Sequence, residues 1–192
     1  GAEYNNKKSG SFGIFSVFSF YPTKILGSYG DGGCIATNNN TLGKRIRIYA
    51  NHGRFKGLVM SDGTNSRLDN FQAMILNSNL KLINSSIKKR IRLAKEYYIN
   101  FRENKNISFP FRNRNEISKH KDVFQNFEIL VKQRDKLKRF LNKRKIETLI
   151  QWKGIPVNKI KLKTIKLKNK YDGTNKYFKE CLCLPIGDHV NE

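Results

Sequence analysis

Acidic residues are scarce in this chain. Fifteen Asp and Glu stand against 38 Lys and Arg, a formal net charge of +23 over 192 residues. An excess of that size is an electrostatic footprint for nucleic acid or another polyanion. The basic residues, however, run through the whole sequence among Asn and Ile and are gathered in no single arm or helix. That spread is the mark of compositional bias and argues against a nucleic-acid partner. Long apolar runs are missing too, so no segment has the length of a membrane-spanning helix. The apolar stretch 12–20 comes late and is broken by Ser and Gly, unlike a secretory leader. A cytoplasmic protein without a membrane partner is expected. The three cysteines, Cys34, Cys181 and Cys183, are an odd number, and the last two would share one strand face, where direct bridging is strained. Buried reduced thiols are expected, and no metal-ligand spacing occurs. What is present, 38% apolar and 11% aromatic residues, excludes a chain that stays unfolded.

The hydrophobic pattern predicts the elements. Residues 14–20 alternate large apolar and small side chains and read as a buried strand ended by Pro22. Gly27, Gly30, Gly32 and Gly33 precede a second strand at 34–37. Thr41 is positioned to cap a helix reaching about Tyr49, and Gly53 suits a left-handed stop after Asn51-His52. Ser66-x-x-Asp69 has the form of a capping box. It opens an apolar periodicity (Leu68, Phe71, Ile75, Ile83, Ile87, Ile91, Ala94, Tyr98, Phe101) that predicts one long helix near 66–102, kinked near Asn77–Asn79. Further on, a strand is expected over 123–131 and a helix over 134–145 with Leu137, Phe140 and Leu141 inward. Strands are expected at 146–152 and 181–184 as well. The organisation changes after Pro110, and a small α+β domain is expected over 105–192, with 1–104 forming the end of a larger α/β domain. The abrupt start before a central-type strand, and the stop just after another strand, read as a piece of something larger.

Three segments carry chemistry. Ser19-Phe20-Tyr21-Pro22-Thr23-Lys24 runs into the glycine-rich stretch ending at Gly33, Asn51-His52-Gly53 follows, and then Gly63-Thr64-Asn65-Ser66-Arg67 leads into the long helix. In order and spacing they resemble the DegT/DnrJ/EryC1/StrS aminotransferases, which make amino sugars on nucleotide-diphosphate carriers. The resemblance continues more weakly through 135–152 and 182–185. It implies the later part of a fold-type I large domain followed by a small α+β domain, with pyridoxal 5'-phosphate as cofactor. Lys24 would be its covalent anchor and then the group that shuttles a proton, since only Lys combines an amine with that reach. Its ammonium must lose a proton to attack, which partial burial beside a cationic group would favour. By the same resemblance Ser19 contacts the cofactor phosphate. Asn65 reaches the phosphate of a neighbouring subunit's cofactor, which implies a homodimer with shared sites. Arg67 could neutralise substrate phosphate or pair with Asp69. Asn158 stands where many relatives place a histidine near the sugar.

The substrates implied are a nucleotide-linked keto sugar and an amino-acid donor, with glutamate expected. The family's earlier half supplies the carboxylate for the pyridine nitrogen, a ring-stacking aromatic and a backbone phosphate cradle. None of these has a counterpart in this sequence, so the chain by itself is expected to be inactive. The Lys-rich stretch 159–170 reads as an exposed loop, with attraction of the nucleotide diphosphate as the alternative. A polyanion-binding module and a degenerate, catalytically silent relative are the rival readings.

Overall fold

A computed structural model describes residues 1–110, 119–160 and 170–190. The chain divides into two compact units, Gly1–Ile87 with Ser118–Asp122, and Lys88–Ile117 with Val123–Glu192. The division falls inside a helix, whereas the sequence pattern places the change of organisation near residue 105.

In the first unit, β1 (Glu3–Tyr4) pairs antiparallel with β2 (Lys7–Lys8) and with β7 (His120–Lys121). The strand expected at 14–20 forms as β3 (Ser16–Ser19), antiparallel to β4 (Gly33–Ala36), with Phe18 opposite Cys34 and Ser19 opposite Gly33. Its expected burial is corrected: Val17 is 68% exposed, and Phe12, Ile14, Phe15 and Ile35 are exposed as well. A two-stranded ladder cannot bury its own faces, and the described residues of this unit lay no layer over them.

Helix α1 (Asn40–Ala50) forms as expected, but its cap is Asn39, whose Oδ1 accepts from the Leu42 N–H at 2.9 Å. Asn39 is the better placed cap because its extended backbone directs the side chain at the free N–H groups of the first turn. Gly53 does adopt the left-handed conformation, at φ +70°. A short hairpin, β5 (Arg54–Phe55) with β6 (Leu58–Val59), follows.

The single long helix is corrected to two, α2 (Asn70–Leu80) and α3 (Ile83–Phe101). The break lies at Lys81–Leu82, just past the predicted kink, where the N–H groups of both residues reach back three residues to Ser78 and Asn79 carbonyls. The capping box does not form: Asp69 is the N-cap and makes no side-chain bond to the helix.

The second unit holds most of the buried apolar residues. Strand β8 (Phe127–Leu130), inside the expected 123–131, pairs antiparallel with β9 (Cys181–Leu184), whose bounds match the expectation. One face of this ladder, Phe127, Ile129, Leu182 and Leu184, packs on Leu93 and Ala94 of α3. Tyr97 stacks on Phe127 at 4.9 Å and donates its hydroxyl to the Pro185 carbonyl. Arg90, half-buried, donates to the carbonyls of Phe124, Gln125 and Ile186, tying α3 to both strand ends. The opposite face carries Glu128 directly across from Cys183, and Leu130 across from Cys181.

Helix α4 (Arg134–Lys143) turns Leu137 and Leu141 to the core as expected. Phe140 is corrected to an exposed position, with the Arg144 guanidinium 3.6 Å from its ring centroid. The strand expected at 146–152 reduces to one bridge, Leu149 with Cys183. Trp152, Lys153 and Gly154 all take left-handed backbone (φ 51°, 55° and 74°), which no ladder accommodates. A helix absent from the sequence reading, α5 (Asp172–Glu180), leads into β9. Residues 161–169 of the Lys-rich stretch lie outside the described residues. No helix among the described residues is long and apolar enough to cross a membrane.

Candidate active site

The segment after β3 is built around one buried hydroxyl. Ser28, 1% exposed, places Oγ 2.7 Å from the Phe20 carbonyl and 2.6 Å from that of Gly30, while its N–H donates to Phe20 O at 2.8 Å. The Phe20 N–H in turn donates to Gly32 O. The loop from 20 to 32 is thus closed on itself at its base. It is also pinned to α2 twice: the Tyr29 N–H donates to Gln72 Oε1 at 2.9 Å, and Asn79 Nδ2 donates to Gly27 O at 3.0 Å. A side chain on Gly27 would put a Cβ 2.6 Å from the Pro22 carbonyl oxygen, so the loop crosses its own start as bare backbone.

Ser19 and Lys24 sit at the mouth of this loop. The Tyr21 N–H donates to Ser19 Oγ at 3.3 Å, and the Lys24 N–H donates to the Tyr21 carbonyl at 2.9 Å. Two short links therefore connect the hydroxyl-bearing strand end to the lysine-bearing turn. Lys24 is exposed.

Asn65 is held by backbone. It forms an antiparallel bridge with Asn51, flanked by His52 N–H to Thr64 O at 3.0 Å and Ser66 N–H to Ala50 O at 2.9 Å. The three quoted segments are thereby explained as two supports: Asn51-His52-Gly53 is the rail on which Gly63–Ser66 runs. Arg67 Nε donates to Asn65 Oδ1 at 3.0 Å, and so Arg67 pairs with Asn65 where Asp69 was the partner considered. That contact turns the Nδ2 donor of Asn65 away from Arg67.

Asn158 lies in the second unit. Its Nδ2 donates to Asn175 Oδ1 at 3.1 Å, and its own Oδ1 is buried without a hydrogen-bond partner. Asn175 lines a cavity of about 490 Å³ together with Arg134, Lys159, Lys176, Lys179 and Glu180. The sequence reading missed Ser28, Gln72 and Asn79. Ser28 falls inside the stretch ending at Gly33, but only the fold reveals that these three position the lysine loop.

Known proteins decide the affiliation. A model of the DegT/DnrJ/EryC1/StrS aminotransferase family matches residues 1–192. The chain belongs to that family. It is 32% identical over 99% of its length to a dTDP-3-amino-3,4,6-trideoxy-alpha-D-glucose transaminase of Streptomyces venezuelae, of which it covers 50%. It is 34% identical over 83% of its length to a UDP-2-acetamido-2-deoxy-3-oxo-D-glucuronate aminotransferase of Pseudomonas aeruginosa, covering 43% of that protein. Among solved structures, S. venezuelae DesV in complex with a ketimine intermediate superposes with a TM-score of 0.90 at 32% identity, over 100% of this chain and 51% of that one. A family member from Brucella abortus gives 0.82 at 26%, over 100% and 50%. The fold is therefore that of the fold-type I class. The chain spans about half the length of the curated relatives it matches.

Proposed function

We propose that this chain is the later half of a pyridoxal phosphate-dependent aminotransferase that moves an amino group, with glutamate as donor, onto a keto sugar carried by a nucleotide. One observation carries the reading: the family match over residues 1–192 falls on a chain whose family-type lysine, Lys24, is an exposed amine on a doubly pinned loop. Pyridoxal phosphate, when bound, supplies an electrophilic aldehyde and a ring that draws electrons from the reacting carbon. The residues present fit the two ends of such a group. Lys24 Nζ is a primary amine with open access, and Ser19 Oγ is an exposed hydroxyl at the adjoining strand end with one weak backbone partner. Asn65 Nδ2, turned outward by Arg67, offers an amide donor to a phosphate oxygen of a neighbouring subunit. A homodimer follows from that role.

The work assigned to the chain's own side chains is then positioning and proton transfer. Lys24 binds through Nζ and, once free, accepts and returns a proton there. Ser19 fixes the phosphate end, so that the amine meets its target within a narrow arc. Arg67 orients Asn65 and brings positive charge towards a substrate phosphate. Asn158 contributes to sugar recognition through its bond to Asn175, which it holds at the wall of the cavity.

Residues 1–104 are assigned to the large domain and 105–192 to the small one. The exposed apolar residues around β3 and β4 support a further layer of the fold covering them, supplied in the same polypeptide or by another. The reaction is assigned to the cytoplasm and to that completed assembly; the chain alone is inactive. The test is to supply the complementary half, add pyridoxal phosphate, reduce with borohydride and map the label by peptide mass. Label on the Lys24 peptide, lost in Lys24→Ala, is the expected result. A completed, folded assembly with no label at Lys24 rejects the reading.

A further inference from the structure

The ladder of β8 and β9 gathers metal-ligating groups that the aminotransferase reading leaves unused. Their register sets Glu128 directly opposite Cys183, and Cys181 stands two residues away on the same face. One carboxylate oxygen and the two Sγ atoms all lie within 4.8 Å of one another. Both cysteines are 4% exposed, and Glu128 is half-buried. We propose that Glu128, Cys181 and Cys183 form a zinc-class metal site, with water in the fourth position, that staples β8 to β9.

The ligand types select the metal. Two soft sulfurs and one carboxylate oxygen suit Zn²⁺, and they do not suit Mg²⁺ or Ca²⁺, which need oxygen cages. The spacing is close to what binding requires. With Zn–S near ~2.3 Å and Zn–O near ~2.1 Å, tetrahedral ligands sit about 3.5–4 Å apart. The atoms need to close by roughly 1 Å, a movement within reach of side-chain rotation. A disulfide between the same cysteines is the poorer outcome. Alternate strand residues have Cα atoms about 6.6 Å apart, near the limit of about 6.8 Å that a bridge tolerates.

The surroundings also favour the ion. Tyr177 of α5 donates its hydroxyl to Glu128 Oε2 at 2.5 Å, which fixes the carboxylate. Outer partners of this kind hold metal ligands in position. Two thiolates and a carboxylate around Zn²⁺ leave one net negative charge. Arg134, held between the Phe178 carbonyl and the Asp135 carboxylate, is a cation that acts on Cys181. Sequence spacing could not reveal this site, because Glu128 comes from a strand more than fifty residues before the cysteines.

The experiment uses the full chain, reduced and stripped with chelator, then titrated with Co²⁺ and back-titrated with Zn²⁺. We expect one equivalent of Co²⁺, a thiolate-to-cobalt charge-transfer band, and displacement by Zn²⁺. Cys181→Ser/Cys183→Ser should abolish the band and Cys34→Ser should leave it. Tyr177→Phe, which removes only the outer bond, should weaken affinity by about 10–100-fold. A wild-type chain without the band, or a band that survives the double substitution, overturns the site. Should the double variant fail to fold, the unmodified chain decides: Zn²⁺ must raise its thermal midpoint, and no rise overturns the site equally. None of these readouts involves transamination, so the site and the enzyme reading stand or fall separately.

Discussion

Replacing Gly53 by Ala tests how the Asn65 loop is held. Gly53 has φ +70°, and a Cβ added there would lie 1.7 Å from the Ser61 carbonyl oxygen and 2.7 Å from its carbon. Gly57 is a built-in control: its φ is +85°, but a Cβ there meets nothing within 4 Å. Both substitutions carry the left-handed penalty of about 1 kcal/mol, and only Gly53→Ala adds the overlap. To reach even 3.0 Å the Ser61 backbone must retreat by more than 1 Å, and backbone cannot escape by changing rotamer. That movement pulls on three bonds: Met60 N–H to Gly53 O, His52 N–H to Thr64 O, and Thr64 N–H to Tyr49 O. At about 1 kcal/mol each, Gly53→Ala loses roughly 3 kcal/mol more than Gly57→Ala. Amide hydrogen exchange reads this directly. Protection at Met60, Thr64 and Ser66 should fall about fivefold in Gly57→Ala and more than a hundredfold in Gly53→Ala. Equal losses in the two variants would refute the argument that Asn65 is placed by backbone contact between the two glycine-bearing segments.

The remaining predictions concern the core, the lysine loop and the surface charge. Leu182→Ala, at a fully buried position in the β8–β9 core, should lower stability by about 3 kcal/mol, read as a shifted urea midpoint with unchanged slope. Ser28→Ala should cost about 1–2 kcal/mol, because carbonyls at the base of the loop lose their hydroxyl donor. Exchange at Tyr29 should then rise before that of α1. Asp135 accepts from Arg134 Nε at 2.9 Å, and that bond, chiefly, holds its carboxyl below the usual range. A depressed carboxyl stabilises the fold above its unfolded pKa and loses that contribution as pH falls through its folded value. Arg134→Met should therefore move the Asp135 titration upward by NMR, whereas Asp135→Asn, which keeps the Arg134 bond to the Phe178 carbonyl, should change stability only slightly because the carboxylate is exposed. Retention on heparin should be weak at physiological salt and vanish steeply above it, as spread-out charge predicts; tight binding under those conditions would revive a polyanion role.

Where local pattern and fold agree, each element rests on its own residues. Strand β9 was legible because Cys-Leu-Cys-Leu before Pro185 permits little else, and α4 because Leu137 and Leu141 recur at helical spacing. The break between α2 and α3 was legible as a tendency, since Asn is a poor interior helix residue. Its position needed the three-residue closing bonds and the Asn79 contact with Gly27, fifty-two residues away. The strand expected at 146–152 is cut to one bridge, with left-handed backbone at both of its ends, at Lys145 and from Trp152 onward. Helix α5 was missed because its apolar residues are few and meet a sheet face the sequence does not display.

By itself the sequence determined the family, through three motifs in a fixed order, and with it the candidate amine at Lys24, the hydroxyl at Ser19 and the carboxamide at Asn65. Motif residues can be read in one dimension because chemistry restricts their identity and spacing. The tertiary structure alone decided what holds them: Ser28 closing the lysine loop, Gln72 and Asn79 pinning it, and Arg67 turning Asn65. It alone also brought Glu128 against Cys181 and Cys183. Those pairings depend on ladder register and on helices packed from distant parts of the chain, and a contact energy carries no mark in the sequence until the chain has folded.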